Sequence, residues 1–265
     1  MTVIRVLFLG DIFGEPGRRA VQHFVPELRK SENIDLVLAN GENAAHGRGI
    51  SQRIAADLFA AGIDLMTGGN HSFDVFDSYA FLNDPNCKII RPSNLSRHAP
   101  GRGAAVVETR NGVRVGVLNV MGRVFMEPGV NLPFDAVDEG ISNLTGDCDV
   151  MVLDFHAETT SEKRAMGWYL DGRVQLIVGT HTHVQTADEE ILPAGTAYIT
   201  DLGMCGPHDS VIGMRKDLVI RKMRTGLPFK FEIGEKDVRL NGLIADIDSD
   251  RKRAVGVKRV SMKLP

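Results

Sequence analysis

Short apolar runs alternate with amphipathic stretches along the first third of the chain. Residues 3–9, 36–39 and 64–67 have the length and the aliphatic content of buried strands. After the first two runs, apolar residues recur at three- and four-residue spacing, which predicts helices from the turn at 10–17 to about Lys30 and again from Ser51. A further helix is predicted at 75–82. Strands and helices that alternate in this way indicate a parallel sheet with right-handed crossovers.

The rest of the chain mixes hairpin and crossover patterns. Two strand-like runs flank Asn111-Gly112, a dipeptide typical of tight hairpins. Thr159 and Glu162 have the spacing of a capping box, which predicts a helix from there toward Leu170. The predicted strands of this part are 104–109, 113–120, 150–155, 174–178 and 197–200, the predicted helices are 134–144 and 216–222, and 229–260 is β-rich. We therefore expect one mixed α/β domain over residues 1–265.

Composition narrows the possible partners and the compartment. The 265 residues are 43% hydrophobic and 25% charged, with a net charge of −3, so a sizeable core is expected. The sequence has no long basic run, which argues against a stable nucleic-acid complex or membrane-surface binding. It also has no run of about 18 apolar residues and no basic leader before the first strand. Cys87, Cys148 and Cys205 are odd in number and far apart, as is typical of reduced cytosolic thiols. We expect a cytoplasmic protein.

A His-x-His motif follows the predicted strand 174–178. In Gly179-Thr180-His181-Thr182-His183, the two histidines are two residues apart, so an extended backbone directs both imidazoles to one side. Imidazole is a common ligand of zinc, iron and related ions. Two solvent-facing loop histidines would give the same pattern, and a metal site therefore requires partners elsewhere in the chain.

Such partners recur at the ends of the other predicted strands. Ligands bind open α/β sheets at the carboxyl ends of the strands, and a polar residue stands there repeatedly: Asp11, Glu42, Asn70, His156, His181 and His183. Carboxylate, amide and imidazole groups together suit iron, manganese or zinc, and one bridging carboxylate would allow two ions. Their excess positive charge would attract a phosphate. Taken singly, Asp11 could cap a helix, Asn70 could turn a loop and Glu42 could face solvent.

The motifs resemble those of the calcineurin-like metallophosphoesterase superfamily. Gly69-Asn70-His71 matches its Gly-Asn-His motif, His156 its isolated histidine, and residues 179–183 its Gly-His-x-His motif with one residue inserted. Two motifs depart from the pattern. Phe13 stands where a ligand histidine is expected, and Gly41-Glu42-Asn43 replaces Gly-Asp-x-x-Asp.

Both departures are similar to the YmdB-type branch, whose members are 2′,3′-cyclic-nucleotide phosphodiesterases. The similarity extends over nearly the whole chain and is most specific at 41–47, 154–158, 179–188 and 195–201. It implies a four-layer αββα sandwich with mixed sheets and two metal ions, with iron favoured and manganese or zinc possible.

The resemblance also implies a ligand set. The first ion would be held by Asp11, Glu42, Asn43 and His183, and the second by Glu42, Asn70, His156 and His181. Glu42 would bridge the ions, and Asn43 would replace the histidine lost at Phe13. Because asparagine is a weaker and neutral ligand, we expect the first ion to be held more loosely.

The implied reaction is hydrolysis of a small phosphodiester such as 2′,3′-cyclic AMP by metal-activated water, with His71 protonating the leaving sugar oxygen. His71 could instead be a structural loop residue, and Asp74 could orient it or simply precede a helix. His46, Arg91 and Arg123 are candidate substrate contacts, although such residues usually lie at a surface.

Two other functions and one assembly question remain open. The same metal core would serve a phosphomonoesterase acting on nucleotides, because the pocket walls decide the substrate. A regulatory module that binds a nucleotide or a protein with little turnover is the alternative from another class. The β-rich C-terminal region could supply the interface of a homo-oligomer.

Overall fold

The computed structural model describes residues 2–265. Strands and helices connected by loops are distributed along this whole range. The strands are β1 (Val3–Leu9), β2 (Asp11–Ile12), β3 (Leu36–Asn40), β4 (Leu65–Thr67), β5 (Ala104–Glu108), β6 (Arg114–Met121), β7 (Val150–His156), β8 (Leu176–Thr180), β9 (Glu190–Ile191), β10 (Ala197–Ile199), β11 (Met204–Pro207), β12 (Val238–Asp248) and β13 (Arg253–Lys263). The helices are α1 (Gly14–Ser31), α2 (Gln52–Ala60), α3 (Ser78–Leu82), α4 (Pro133–Leu144), α5 (Thr160–Leu170) and α6 (Lys216–Thr225).

The first sheet combines the predicted parallel strands with strands from the end of the chain. Its order is β2-β11-β12-β1-β3-β4, and β13 pairs with β12. Strands β1, β3 and β4 are parallel, as predicted, whereas β12 runs antiparallel to β1. The long C-terminal strands therefore complete a sheet that the N-terminal part of the chain begins.

The second sheet begins with the predicted hairpin. Its order is β5-β6-β7-β8-β10-β9. Strands β5 and β6 pair antiparallel across Asn111-Gly112, and β6, β7, β8 and β10 follow in parallel. The carboxyl ends of these parallel strands therefore lie on one edge, as do those of β1, β3 and β4 in the first sheet.

Apolar packing joins the two sheets face to face and covers their outer faces with helices. The core between them contains Phe8 of β1, Val152 of β7 and Leu243 of β12. On the outer face of the first sheet, α1 and α2 contribute residues such as Val21, while α4 and α5 cover the second sheet. The predicted four-layer αββα sandwich with mixed sheets is confirmed.

Some local predictions differ from the structure. Residues 70–77 form successive turns, so α3 is shorter than the predicted helix 75–82. Thr159 stands at the N-cap of α5, but its side chain makes no capping hydrogen bond within the described part of the chain. Glu162 instead accepts hydrogen bonds from the backbone N–H groups of Arg123 (2.9 Å) and Val124 (3.3 Å), which anchors the loop after β6. None of the helices in residues 2–265 is long and apolar enough to span a membrane.

Candidate active site

The metal ligands implied by the sequence lie at strand ends, and both sheets contribute them. From the first sheet come Asp11 in β2, Glu42 and Asn43 after β3, and Asn70 after β4, and from the second come His156 at the end of β7 and His181 and His183 after β8. The side-chain oxygen of Asn40, the last residue of β3, accepts a hydrogen bond from the Glu42 N–H at 3.1 Å. This contact turns the backbone as it leaves the strand.

Four of these side chains form one cluster. The His156 Nε2 atom lies 3.2 Å from Glu42 Oε1 and 3.0 Å from Asn70 Oδ1. Potential ligand atoms of Glu42, His156 and His181 all lie within 4.8 Å of one another. Glu42 and His156 are buried, at 2% and 0% exposure, so their polar atoms face each other rather than bulk water.

The remaining ligands form a second cluster beside the first. The His183 Nε2 atom lies 3.1 Å from Asn43 Oδ1 and 3.8 Å from Asp11 Oδ1. The other Asp11 oxygen, Oδ2, accepts a hydrogen bond from the backbone N–H of His181 at 3.1 Å. Asp11 therefore joins the two clusters through the loop that carries both histidines.

Two features of this arrangement fit bound divalent cations. The Oδ1 atom of Asp11 is buried and has no hydrogen-bond partner among residues 2–265, and such an atom is costly unless a cation compensates it. A Cβ atom on Gly69 would lie 2.2 Å from Glu42 Oε2 and 2.4 Å from His156 Nε2, so the glycine leaves room for the ligand atoms to converge. With their mixture of oxygen and nitrogen donors, the residues fit borderline divalent metal ions.

The pKa values of the clustered carboxylates and histidines in the metal-free protein are also shifted, as expected for charged groups buried close together. Burial raises the pKa of Asp11 to about 6. Burial also acts to raise the pKa of Glu42, but His156 outweighs it and lowers that pKa to about 2. Burial opposes the charged form of His156, yet the carboxylate of Glu42 outweighs burial and raises the pKa of His156 to about 9. For His181, burial and the nearby charge of His156 both act in the same direction and lower the pKa to about 3. Without a metal ion, a protonated His156 therefore neutralises Glu42.

A chain of hydrogen bonds, which was not predicted from the sequence, runs from the Nδ1 side of His156 through Thr180 to Asp154. The Nδ1 atom of His156 lies 2.8 Å from the Thr180 hydroxyl, and that hydroxyl donates to Asp154 at 2.6 Å. Because the Thr180 proton is given to Asp154, the Thr180 oxygen accepts from Nδ1–H, and Nε2 is left for a metal ion. Thr67 and Asn40 also donate to the buried Asp154. Asp154 lies in segment 154–158, one of the segments in which the similarity to the YmdB-type branch is most specific. That similarity is the sequence signal that could have pointed to a role for Asp154.

The proposed acid, His71, lies at the cleft beside these clusters. Its Nδ1 atom is 2.8 Å from Asp74 Oδ2, and its Nε2 atom is 3.2 Å from Asn70 Nδ2. Of the two roles considered for Asp74, the structure shows the orienting contact, because α3 begins only at Ser78. The backbone N–H of His71 donates to Glu42 Oε2 at 2.9 Å, which ties His71 to the first cluster.

The candidate substrate contacts lie elsewhere. Arg91 is buried and donates to backbone carbonyls of its own loop, with Nη1 2.8 Å from the Pro92 oxygen. Arg123 is exposed, and neither arginine lines the cleft onto which the proposed metal ligands open. His46 is also exposed and lines a neighbouring cleft of about 850 Å³. None of the three lines the cleft of about 610 Å³ beside the proposed metal ligands, and their role as substrate contacts stays a prediction.

The cleft has a volume of about 610 Å³ and a second wall that the sequence did not indicate. Glu42, Asn43, His71, His181 and His183 line one side. The loop before α6, α6 itself and Phe231 form the other, and Arg48 and Lys222 are the cationic residues of the lining. A polar cluster that fits metal ions therefore opens onto a cleft large enough for a small organic substrate.

The four-layer sandwich and this cluster of ligands define a metallophosphoesterase, a class of hydrolase. A family profile described as YmdB-like protein matches residues 7–260, and the chain belongs to this family. It is 44% identical over 258 residues to a 2′,3′-cyclic-nucleotide 2′-phosphodiesterase of Bacillus subtilis, covering 97% of this chain and 96% of the relative.

Solved structures agree with this assignment. The fold superposes on a phosphatase from Mycoplasma pneumoniae with a TM-score of 0.92 and 37% identity, covering 99% of this chain and 94% of the other. It also superposes on the NAD nucleotidase of Haemophilus influenzae with a TM-score of 0.61 at 12% identity, covering 99% and 56% of the two chains. At that identity the second likeness shows the fold alone.

Proposed function

We propose that the protein is a phosphodiesterase that uses two metal ions to hydrolyse small cyclic nucleotides such as 2′,3′-cyclic AMP. One observation carries the proposal: two adjoining groups of oxygen and nitrogen ligands, around His156 and around His183, open onto the cleft that His71 also lines. The identity to the Bacillus subtilis 2′,3′-cyclic-nucleotide 2′-phosphodiesterase supports the choice of substrate.

Each ion would be held by residues that already face one another. Asp11, Glu42, Asn43 and His183 would hold the first, and Glu42, Asn70, His156 and His181 the second. When bound, the ions would supply a water that is nucleophilic at neutral pH and positive charge for the phosphate oxygens. Iron is the favoured metal, and manganese or zinc would fit the same donors.

The chain itself supplies the proton for the leaving group. With Nδ1 held by Asp74, the imidazole of His71 keeps a fixed orientation, and Nε2 is the atom that donates to the departing sugar oxygen. In the structure Asn70 Nδ2 donates to this Nε2 atom at 3.2 Å. To act as the acid, His71 would therefore carry a proton on both ring nitrogens, with Nδ1–H on Asp74, and the Nε2 contact would pass from Asn70 to the sugar oxygen. His71 thus acts as the general acid, and Asp74 positions it.

The burial of the ligands supports turnover by a closed metal core. Asp11, Glu42, Asn43 and His156 are at most 2% exposed, so the ligand atoms are held in place before substrate arrives. Preorganised groups in a dry site stabilise developing charge more strongly than groups in water. A phosphomonoesterase would use the same metal core, and a comparison of cyclic diester and monoester substrates distinguishes a phosphodiesterase from a phosphomonoesterase.

The test is steady-state hydrolysis of 2′,3′-cyclic AMP by protein whose metal content has been measured. The wild type should turn over, and His71→Ala should lose about 10²- to 10⁴-fold in kcat with its metals retained. His23→Ala, on the exposed side of α1, is the matched control and should behave as wild type.

Three outcomes contradict the proposal in different ways. Hydrolysis of nucleotide monoesters without hydrolysis of the cyclic diester would indicate the phosphomonoesterase. Two bound metals without hydrolysis of either substrate, or of bis(p-nitrophenyl) phosphate, would indicate the binding module. Full activity of His71→Ala would remove the acid role from this residue.

A further inference from the structure

The cleft wall opposite the metal ligands is apolar and partly exposed. Ile212, Met214, Met223 and Phe231, here called the apolar wall, line it, and Ile212 and Met223 are 52% and 77% exposed. Contact between water and exposed methionine and isoleucine side chains is unfavourable, and a contiguous patch of such side chains in a cleft is typical of a ligand-binding surface. Because these side chains are not buried in the core, folding alone does not account for their apolar character, and a bound ligand would.

The apolar wall is continuous with the ligands around His183. The Nδ1 atom of His183 lies 3.0 Å from the backbone oxygen of Ile212, and the Phe13 ring meets the His183 ring edge-on at 5.3 Å. A Cβ atom on Gly47 would lie 3.0 Å from Phe13 and 3.4 Å from the Met214 methyl group. A substrate whose phosphate lies at His183 would therefore have this wall within reach of its next atoms.

The cleft has few side chains that could read the edge of a base. Among its described lining residues, Glu42 is the only carboxylate and Asn43 the only amide, and both belong to the metal ligands. The lining includes no serine, threonine or tyrosine. Lys222 Nζ lies 4.9 Å from the centre of the Phe231 ring, so this exposed cation lies beside the apolar wall.

We propose that the apolar wall binds the nucleoside part of the substrate by stacking and nonpolar contact, so that purine and pyrimidine 2′,3′-cyclic nucleotides are accepted alike. This inference rests on the proposed function. Stacking on an aromatic ring tolerates any base because every base has a π-face. Methionine side chains adapt to different shapes. Strong discrimination requires buried hydrogen-bonding groups. Beyond the proposed metal ligands, the hydrogen-bonding side chains of the lining are the half-buried His71 and the exposed cations Arg48 and Lys222.

The kinetic test compares substrates with and without a base. For wild type, kcat/KM for 2′,3′-cyclic AMP and 2′,3′-cyclic CMP should agree within about tenfold, whereas glycerol 1,2-cyclic phosphate, which has no base, should have a much higher KM. Phe231→Ala should raise KM for both nucleotides about tenfold with kcat nearly unchanged, and should leave the base-free substrate unaffected. Met223→Ala should act in the same direction, and its exposed side chain excludes a folding defect.

Phe229→Ala is the matched control. This ring packs under Arg221 at 4.5 Å and does not line the cleft, so its removal should leave KM for every substrate at the wild-type value. A purine preference above about 100-fold, or an equal effect of Phe231→Ala on the nucleotides and the base-free substrate, would overturn the inference.

A binding measurement separates this inference from the proposed function. Calorimetric titration with 3′-AMP should show about tenfold weaker binding to Phe231→Ala than to wild type or Phe229→Ala. If the protein hydrolyses no cyclic phosphate but the binding difference is present, the proposed function fails and the apolar wall remains a nucleoside site. Equal binding by all three proteins would overturn the inference whatever the activity.

Discussion

The ammonium group of Lys163 lies 2.6 Å from Asp201 Oδ2, and both side chains are buried against the loop that carries His181 and His183. Lys163 also donates to the Thr180 carbonyl at 2.8 Å, and the Thr182 hydroxyl donates to Asp201 at 2.7 Å. Both histidines have positive φ angles, 94° and 65°, which are unfavourable for residues other than glycine. The ion pair therefore holds the loop in a conformation that it would not adopt alone.

Removing Lys163 tests this support. Lys163→Met leaves Asp201 as a buried, uncompensated charge, so we expect a loss of about 3–5 kcal/mol in the free energy of unfolding and a lower metal content. Urea denaturation and metal analysis measure the two effects. The neighbouring Arg164→Met breaks a half-exposed pair with Glu190 and should cost only about 0–1 kcal/mol without loss of metal. Equal effects of both substitutions would disprove the special role of the buried pair.

The Thr180 hydroxyl sets the tautomer of His156. Thr180→Val removes the acceptor for Nδ1–H and a donor to Asp154, so metal affinity should fall about 10- to 100-fold. Thr180→Ser keeps the hydroxyl and should retain near wild-type affinity, which competition with a chelator measures. If valine and serine weaken binding alike, the loss arises from packing rather than from the hydrogen bond.

A single methyl group should empty the second metal site. The Cβ of Gly69→Ala would collide with Glu42 Oε2 and His156 Nε2, so these ligands cannot converge. At least one metal equivalent should be lost, and the first ion should also be held more weakly because Glu42 belongs to both proposed ligand sets. Gly129→Ala is the control, because a Cβ there meets nothing within 4 Å. Retention of both metals by Gly69→Ala, with circular dichroism unchanged, would be incompatible with the proposed ligand set.

The first ion should leave before the second. Its proposed site would use the neutral oxygen of Asn43, which lies 3.1 Å from His183 Nε2, while Phe13 packs edge-on against His183 and has no ligand atom. We therefore expect a chelator to remove the metal in two phases, and Asn43→Ala to abolish the faster one. A single phase in wild type would show that the two ions bind with similar strength.

The thiols should react slowly in the folded protein. Burial raises the pKa of Cys205 to about 12 and raises that of Cys148 and Cys87 as well. At pH 8 only about one Cys205 in ten thousand is then the reactive thiolate. An Ellman assay should detect the half-buried Cys87 first and the other two only after denaturation. Rapid modification of Cys205 at pH 8 would contradict its burial.

The sequence predicted the fold well because strand ends are a local property. Apolar runs located β1, β3, β4, β7 and β8, and the polar residue after each run followed directly from that placement. The support around these residues depends on contacts between distant segments, such as Asp154 with Thr180, and no local pattern encodes them. Arg91 illustrates the same limit, because a buried arginine that binds its own loop has the same sequence signature as one that faces a substrate.

Both proposed metal sites would draw ligands from both sheets of the sandwich. Asp11, Glu42 and Asn70 come from one sheet, and His156, His181 and His183 from the other. Each ion would thus act as a cross-link between the two halves of the core, and filling the sites would oppose separation of the sheets. Stability would then rise with free metal concentration by mass action, so metal starvation would silence the enzyme and also shorten its lifetime as a folded protein.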